Sequence, residues 1–368
     1  MNVLYLIDPH SIHDLNWITN ISADSKWYVH RECHKPNPNL SSKVKLITSI
    51  PDFSIRHPLQ TIMALWRLSI IIKNNNIDVF HIMYAEPNAL WALVKVISNV
   101  KCVITTRGTD ILQTIPGHFS LASFQNIYVR RLYSAAFRVT DACTCTSLEQ
   151  VSSIKRLFGN IKTKLVRTGV DIDAIDSLKG GVLPSQLQDS PYILFPRSMK
   201  PLYNHELALN AISMLPKEIR NAFRFVFVDS TSIDKLYVEK VKSLMRNIDA
   251  IFEFMPRLTQ EQLIPIYFNS RLVVHTPISD GSPVSALEAM YCQVPVLLPK
   301  LAYDNTLFSN CLFYSPNDVV SLVDKITEEI SHPNIEKVMK SYISVKNMAN
   351  RDLEMRKLQQ LYITLVYG

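Results

Sequence analysis

Short apolar runs alternate with longer amphipathic stretches along almost the whole chain. In the first half, this pattern predicts strands at residues 2–7, 44–48, 78–83, 101–106, 141–146 and 163–167. It predicts helices near residues 58–74, 87–98, 121–138 and 147–157. Strands that alternate with helices indicate parallel sheets with helices on both faces.

The alternation stops in a polar, glycine-containing stretch at residues 176–190 and then starts again. We interpret this stretch as an interdomain linker, because its Gly, Pro and Ser disfavour regular structure. Strands are predicted at residues 192–195, 223–228, 250–254, 271–275, 294–298 and 311–314. Helices are predicted near residues 203–214, 234–247, 259–268, 283–292, 317–330 and 335–365. Thr259 and Gln262 have the spacing of a capping box, which indicates the start of one of these helices.

The pattern predicts an α/β fold with two Rossmann-like domains whose parallel sheets face a central cleft. A chain of 368 residues is long enough for two domains of ordinary size. We expect the N-terminal domain over residues 1–175 and the C-terminal domain over residues 190–345. The last residues, 346–368, are expected to form a helix that packs back towards the N-terminal domain.

Composition narrows the class of protein. A hydrophobic content of 47% with 19% charged residues excludes a disordered chain. The six cysteines lack paired C-x-x-C spacing, so we expect reduced thiols, as is typical of a cytosolic protein. Cys143 and Cys145 alternate with Thr and are expected to point to one face of a strand. No apolar run reaches the roughly 18 residues that span a bilayer, and residues 2–7 are too short for a signal peptide.

The charge is uneven, with +9 over residues 1–170 and −2 over residues 171–368, which together give the net charge of +7. The basic half suggests an anionic partner such as a membrane surface, although a solvated basic surface has the same composition. Helices 58–74 and 121–138 could make peripheral contact with an anionic membrane, or could be domain helices with basic edges. No recognition helix or aromatic-interleaved basic strand indicates nucleic-acid binding. The aromatic and basic residues in these helices are Trp66, Phe124, Tyr128, Arg67, Lys73, Arg130, Arg131 and Arg138.

The run Asp280–Met290, between the strands at 271–275 and 294–298, carries the strongest chemical signal. Ser282 suits a helix N-cap and Pro283 the first helical position. The free N–H groups of such a helix start attract phosphate or a sugar hydroxyl. Glu288, inside the helix, could accept hydrogen bonds from the vicinal hydroxyls of a ribose. These features predict a nucleotide-sugar site.

This run, Gly169-Val170-Asp171 and the two Rossmann-like domains resemble the retaining GT-B glycosyltransferases. The branch is the large bacterial one of surface-polysaccharide and glycolipid enzymes, glycosyl transferases group 1. The resemblance implies that Asp280, which is usually Glu in the family, approaches the donor sugar together with Gly281, Ser282 and Pro283. It also implies that Glu288 holds the ribose.

The same resemblance implies a basic pair that grips the donor diphosphate. Arg197 matches the family arginine, and charge on the leaving diphosphate explains why a cation is needed there. Arg197 could instead cap a carbonyl or pair with an acid. Tyr203-Asn204 replaces the usual Lys-Gly, so we assign the second cation to the nearby Lys200. Arg257 is expected near the nucleobase, and Gln293 replaces another glycine usual in the family.

Acceptor-binding candidates lie in the first domain. Arg107 replaces a family histidine that contacts the donor sugar in relatives, and it could hold a carboxylated or phosphorylated group. Asp110 could bind acceptor hydroxyls or cap the following turn. The usual glycine-rich loop is absent after the first strand. His13, Asp14 and Trp17 could line the acceptor site, or the His13–Asp14 pair could begin a capped helix. Glu86 could touch the acceptor.

The residues predict a metal-independent enzyme with no cofactor besides its nucleotide-sugar co-substrate. We see no His/Cys ligand cluster or paired acidic metal motif, and His275 is expected to pack within the sheet. The expected acceptor is a carbohydrate or a lipid-linked sugar, and the expected location is cytoplasmic, with contact to the inner face of the plasma membrane left open. Two alternatives remain: a nucleotide-sugar epimerase on the same fold, and a non-catalytic glycosyltransferase-like scaffold.

Overall fold

A computed structural model describes residues 1–37, 40, 44–54, 57–120, 124–228 and 234–368. The chain divides into two compact units. The first contains Met1–Thr168 and Asp352–Gly368, and the second contains Gly169–Arg351.

The first unit is built on a sheet of parallel strands. They are β1 Asn2–Leu6, β2 Ser25–Arg31, β3 Lys45–Ile50, β4 Val79–Met83, β5 Lys101–Thr106, β6 Ala142–Cys145 and β7 Thr163–Leu165. Their spatial order is β3-β2-β1-β4-β5-β6-β7. This is the doubly wound order with one added strand, and it reverses direction between β1 and β4.

Helices cover both faces of this sheet. They are α1 Ile12–Thr19, α2 Pro58–Asn74, α3 Ala85–Asn88, α4 Ile115–Ser120, α5 Phe124–Val139 and α6 Leu148–Phe158. A 3-10 helix at Ala89–Val96 and a π-helical turn at Asp110–Thr114 complete the unit. The segment predicted as one helix over 87–98 is therefore mainly 3-10.

Sequence patterning missed β2, and it anticipated α1 only as one of the two interpretations of His13 and Asp14. The core-forming part of β2 is short, and Lys26 and Arg31 near its ends conceal it. Lys26 nevertheless fits the fold, because its ammonium group donates to the carbonyl oxygens of Ile18 at 3.0 Å and Ile21 at 2.9 Å, at the end of α1. Such a contact satisfies carbonyl groups that a helix terminus leaves unpaired.

The core of the first unit has one cluster on each face of the sheet. Residues of α2, the 3-10 helix and α5 pack in one cluster, which also contains Cys143 and Cys145. The expectation that both thiols point to one face is confirmed. The other cluster includes Trp17 of α1.

The second unit repeats the architecture. Its strands are β8 Tyr192–Phe195, β9 Arg224–Val228, β10 Ile251–Met255, β11 Leu272–Val274, β12 Val296–Pro299 and β13 Leu312–Tyr314. All pair in parallel in the order β10-β9-β8-β11-β12-β13, so the direction reverses between β8 and β11. The sequence pattern predicted every one of these strands.

The helices of the second unit precede, connect and follow its strands. They are α7 Ile172–Ser177, α8 His205–Met214, α9 Lys217–Ala222, α10 Lys235–Met245, α11 Gln260–Asn269, α12 Val284–Tyr291, α13 Asn305–Phe308, α14 Val319–Ser331 and α15 Ile335–Met348. Short 3-10 turns lie at Ser185–Leu187 and Pro201–Tyr203. The capping box at the start of α11 is confirmed, with both the Thr259 and Gln262 side chains bonded to backbone N–H groups.

The stretch at 176–190 differs from the predicted linker. Leu187 is buried in the core of the second unit. A Cβ on Gly181 would lie 2.6 Å from the Pro265 side chain. Because this stretch packs closely on its own unit, the division of the chain falls earlier, between Thr168 and Gly169.

The predicted helix over 335–365 is two helices, because α15 ends at Met348 and α16 runs from Arg351 to Tyr367. Between them, Asn350 forms a parallel bridge with Val170. Gly169 has a φ of 66°, and a Cβ there would lie 2.9 Å from the Ala349 carbonyl oxygen. Glycine therefore permits this close pairing. From Asp352 onwards the chain belongs to the first unit, where Tyr362 is buried.

Within the described part of the chain, no helix combines the length and apolar character needed to cross a bilayer.

Candidate functional site

The switch point of the second sheet places Arg197 and Asp280 together. Arg197 follows β8, which ends at Phe195, and Asp280 lies in the loop between β11 and α12. The strands β8 and β11 are neighbours, and the sheet reverses direction between them. Ligands of such sheets bind outside the carboxyl ends of the strands at this point.

Arg197 is held by three side chains. Its Nη2 lies 3.0 Å from Asp280 Oδ2, and its Nη1 donates to Ser285 Oγ at 3.2 Å. Its guanidinium carbon lies 4.0 Å from the centre of the Tyr203 ring, a cation–π contact. Burial opposes the charge on Arg197, but Asp280 and Tyr203 outweigh it and raise the pKa of the guanidinium. Arg197 is therefore a fixed cation.

Backbone contacts tie the Arg197 loop to the Asp280 loop. Thr276 Oγ1 donates to the Tyr203 carbonyl oxygen at 2.8 Å, and the Ile278 N–H donates to the Leu202 carbonyl oxygen at 2.9 Å. The His205 ring nitrogen Nε2 lies 3.1 Å from the Arg197 carbonyl oxygen. These contacts hold the cation and the carboxylate in one arrangement.

The predicted helix start at Ser282 is wrong by one position. Helix α12 begins at Val284, with Pro283 in the N-cap position and no side-chain cap. Since Pro283 is extended, with a ψ of 110°, the Ser282 hydroxyl precedes the position from which it could cap. The Gly281 N–H instead donates to Asp280 Oδ1 at 2.9 Å.

Glu288 lies one helical turn after Ser285, so both side chains project from the same side of α12. Burial raises the pKa of Glu288 to about 7, while the Arg351 cation acts in the opposite direction. Near neutral pH, this carboxyl group is thus divided between its protonated and ionised forms.

Polar atoms without a partner surround the Arg197–Asp280 pair. Among the described residues, no hydrogen-bond partner is found for either ring nitrogen of His275, for Ser282 Oγ or for the Tyr303 hydroxyl, and all these atoms are buried. Burial and the Arg197 cation lower the pKa of His275 well below its usual value, so its ring is neutral. Buried polar groups normally have partners, so these atoms retain unused hydrogen-bonding capacity.

His275 is buried at the end of β11, as its sequence position predicted. No group of three or more His, Cys, Asp or Glu side chains in the described ranges is arranged to hold a metal ion. The other two candidate cations, Lys200 and Arg257, are exposed. Lys200 immediately precedes the 3-10 turn at Pro201–Tyr203, and Arg257 lies in the loop between β10 and α11.

The first unit holds a second arginine–aspartate pair. Arg107, after β5, lies with its Nη2 2.8 Å from Asp14 Oδ1 and with its guanidinium carbon 5.3 Å from the centre of the Trp17 ring. Asp14 also accepts the Asp8 N–H at 2.9 Å, and the Ser11 side chain caps α1. Of the two sequence interpretations for His13 and Asp14, the structure shows the capped helix start, with His13 exposed and Asp14 buried.

Asp110 holds a turn. Its carboxylate is fully buried and accepts N–H groups from Ala85 at 2.9 Å, Arg107 at 3.0 Å, Gly108 at 2.9 Å and Ile111 at 2.9 Å. The capping interpretation is therefore the one that the geometry supports, and the expected contact with acceptor hydroxyls is not. Glu86 is half-buried, and burial raises the pKa of its carboxyl group.

Two family profiles match the sequence in the regions of the two units. Glycosyl transferases group 1 matches residues 184–344, and Glycosyl transferase 4-like matches residues 2–147. Together they cover most of the chain, and the described sheets have the order expected of two Rossmann-like units. The chain is a GT-B glycosyltransferase.

Solved structures share the fold. A glycosyltransferase from Rickettsia africae is 16% identical with a TM-score of 0.79, and the alignment covers 100% of this chain and 99% of that one. Sucrose-phosphate synthase from Thermosynechococcus elongatus is 16% identical with a TM-score of 0.74, covering 99% of each chain. HepE from Anabaena, solved with UDP and glucose, is 15% identical with a TM-score of 0.74, covering 99% of this chain and 100% of that one. No curated protein matches the sequence.

Two positions that the GT-B resemblance associates with glycine keep a glycine-like backbone. Asn204 has a φ of 43° and caps α8 through the Leu207 N–H, and Gln293 has a φ of 61° after α12. The left-handed region is accessible to Asn but strained for Gln. At both positions of this glycosyltransferase the side chain departs from the family pattern, while the backbone stays in the left-handed region that glycine adopts most easily.

Sequence reasoning missed three residues of these sites. Ser285 was visible on the same helical side as Glu288, which is a usable signal. Tyr203 was treated only as the loss of a lysine, whereas its ring stacks on Arg197. Tyr303 carried no local signal, because its position depends on chain segments distant in sequence. Trp17 was anticipated beside His13 and Asp14, and its ring lies against Arg107.

Proposed function

We propose that this glycosyltransferase moves a sugar from a nucleotide-diphosphate sugar to an acceptor hydroxyl, with retention at the anomeric carbon. The main support is Arg197, a fixed cation at the carboxyl ends of β8 and β11 with Asp280 and Ser285 on its guanidinium group. Retention rests on the resemblance to the retaining branch. A nucleotide-sugar donor also agrees with structural neighbours that were solved with UDP and with UDP-glucose.

In this proposal, Arg197 binds the donor diphosphate. The phosphate oxygens compete with Asp280 for the guanidinium group, and this frees the Asp280 carboxylate for hydroxyls of the sugar. Side-chain exposures of 18% for Arg197 and 14% for Asp280 leave part of each group in reach of a ligand. Exposed Lys200 adds a second positive charge to the same loop.

The rest of the donor lies along the start of α12. Gly281, Ser282 and Pro283 border the sugar, and the unpartnered Ser282 hydroxyl supports this placement. Glu288 accepts hydrogen bonds from the ribose when it is ionised. Arg257 lies near the nucleobase.

The transfer needs positioning and charge stabilisation rather than a protein nucleophile. The bond between the anomeric carbon and the phosphate oxygen breaks, and its electron pair stays with the diphosphate. The acceptor oxygen bonds to the same face of that carbon, and its proton passes to the departing phosphate oxygen. No metal ion or further cofactor is part of this proposal.

The acceptor is a carbohydrate or a lipid-linked sugar in surface polysaccharide or glycoconjugate synthesis. Arg107 binds a carboxylate or phosphate on the substrate, with exposed His13 and half-buried Glu86 as polar neighbours in the first unit. We place the reaction in the cytoplasm, which agrees with six free cysteines.

A thermal-shift screen of UDP and GDP sugars tests the donor, because ligands that bind the folded protein raise its melting temperature. We expect one nucleotide series to stabilise the enzyme and Arg197→Ala to remove that effect. Product analysis then separates the alternatives. Conversion of the donor sugar to an epimer without acceptor would show an epimerase, and the absence of any nucleotide binding would show a scaffold.

A further inference from the structure

Helix α2 has two apolar faces. Thr61, Ala64, Leu68 and Ile72 form its buried face. The opposite face, here called the α2 outer face, consists of Leu59, Ile62, Met63, Trp66 and Ile70, with exposed fractions of 76%, 61%, 53%, 61% and 36%. A helix needs one apolar face to pack on a sheet. The outer face is thus apolar surface that the fold of this unit does not explain.

Two neighbouring elements also carry exposed apolar side chains. The 3-10 helix Ala89–Val96 and helix α5 share one core cluster with α2, so the three form one layer. Val96 and Ile97 are 70% and 54% exposed at the end of the 3-10 helix. Ile127 and Tyr128 are exposed on α5. The exposed apolar side chains therefore belong to one helix layer of the first unit.

The charge in this layer has one sign. Residues 57–75, 89–101 and 124–139 contain no Asp or Glu. Arg67 and Lys73 are exposed on α2, and the exposed cations of α5 are Arg130, Arg131 and Arg138. Lys95 is neutralised by an ion pair with Asp141. Exposed apolar side chains beside cations that no acidic residue neutralises are complementary to a partner with a negatively charged surface and an apolar interior.

We propose that the α2 outer face docks on an anionic lipid bilayer. Its aliphatic side chains and Trp66 enter the boundary between headgroups and acyl chains, while Arg67 and Lys73 meet lipid phosphates. Charge favours this occupant over a second copy of the chain, because two copies would bring the same cations together. Docking would place the first unit beside lipid-linked acceptors, but it does not depend on the proposed transfer.

Vesicle co-sedimentation tests the docking. We expect the protein to bind vesicles of phosphatidylglycerol mixed with phosphatidylcholine, and to bind phosphatidylcholine vesicles far less. Trp66 reports the contact: Trp17 and Trp91 are each 1% exposed, and Trp27 is half-buried. Vesicles should shift the fluorescence of the wild type to the blue. Trp66→Phe should remove the shift and retain most of the binding.

Two double variants separate the contribution of the apolar side chains to vesicle binding from that of the cations. Ile62→Ser with Met63→Ser should abolish most binding, and Arg67→Gln with Lys73→Gln should lower it by roughly fivefold per cation removed. Leu236→Ser, at an 86% exposed leucine of α10 in the second unit, is the matched control and should bind like wild type. Thermal melting checks that each variant folds, and donor-induced stabilisation should be unchanged in all of them.

Three outcomes would overturn the proposal. One is equal binding to neutral and anionic vesicles. Another is unchanged binding in the double-serine variant. The third is a dimer of the wild type, seen by light scattering, that the double-serine variant converts to a monomer, since the face would then bind a second copy.

Discussion

Each unit places one arginine against one aspartate and one aromatic ring at the carboxyl ends of its strands. Arg107 lies with Asp14 and Trp17, and Arg197 lies with Asp280 and Tyr203. The surroundings differ. The Asp14 side chain is 5% exposed and also accepts a backbone N–H that joins α1 to the end of β1. The Asp280 side chain is 14% exposed, in a loop with the unpartnered Ser282 hydroxyl.

These surroundings indicate which of the two aspartates can give up its arginine to a ligand. The aspartate of the first pair is part of the framework, because removing it would leave a buried cation and an unpaired N–H group. The second pair is bonded through loops that are themselves fixed by backbone contacts, and the Gly281 N–H that Asp280 accepts belongs to its own loop. A diphosphate could replace Asp280 at Arg197 without unfolding the surroundings.

The largest expected effect separates the two arginines. Arg197→Ala should lower transfer by about 100- to 1,000-fold, because it removes a fixed cation from the leaving diphosphate. Arg197→Lys and Arg107→Lys form a matched pair, because each keeps the positive charge and loses the planar guanidinium group with its paired N–H donors. Calorimetry should show weaker UDP binding only for Arg197→Lys. Equal losses of UDP affinity in both lysine variants would contradict the assignment of the diphosphate to the second unit.

Glu288 provides a pH test of the second site. Its pKa of about 7 lies above the value of 4.5 for an ordinary Glu, so folding favours the protonated form. The contribution of Glu288 to the free energy of unfolding should therefore be highest below pH 4.5. It should fall by up to about 3 kcal/mol as the pH rises through 7. Denaturant unfolding should show this slope for the wild type and not for Glu288→Gln.

Ligand binding should have the opposite pH trend. If ionised Glu288 accepts ribose hydroxyls, UDP affinity should rise between about pH 6 and 8 in the wild type and stay level in Glu288→Gln. Glu288→Ala should severely weaken transfer and leave the fold intact. Near-normal turnover by that variant would rule out the ribose assignment.

Two aspartates give the next comparison. Asp110→Asn should lower the free energy of unfolding by about 2 kcal/mol, because an amide cannot accept all the N–H groups that the carboxylate accepts. Asp280→Asn should cost less stability and more activity. Urea unfolding and initial rates, measured on both variants, check this. A reversed ranking would place the ligand-binding aspartate in the first unit.

The smallest expected effect concerns the backbone after α12. Gln293→Gly should stabilise the protein by about 1 kcal/mol, since glycine adopts a positive φ without strain. Gln293→Ala, which retains a Cβ, is the control and should not stabilise it. Thermal melting measures both. No gain from glycine would mean that the Gln293 side chain makes a compensating contact.

Much of the fold could be predicted from local sequence pattern. The strands of the second unit were all found, because each is a short apolar run between turn residues. Strand β2 was missed because Lys26 and Arg31 interrupt the pattern, and their roles depend on contacts outside the strand. The predicted linker at 176–190 was wrong, because Leu187 and Gly181 pack on residues distant in sequence.

The features of the candidate site likewise divide into those that local sequence predicted and those that depend on tertiary contacts. Sequence motifs placed Arg197, Asp280 and Glu288 near strand and helix ends, because the periodicity of strands and helices is a local property. Tertiary structure alone decided that Arg197 pairs with Asp280, that Asp110 is occupied by backbone N–H groups and that Glu288 titrates near pH 7. It also decided that the outer face of α2 stays exposed. Partners, burial and desolvation arise when distant segments pack together, and the order of residues along one segment does not specify them.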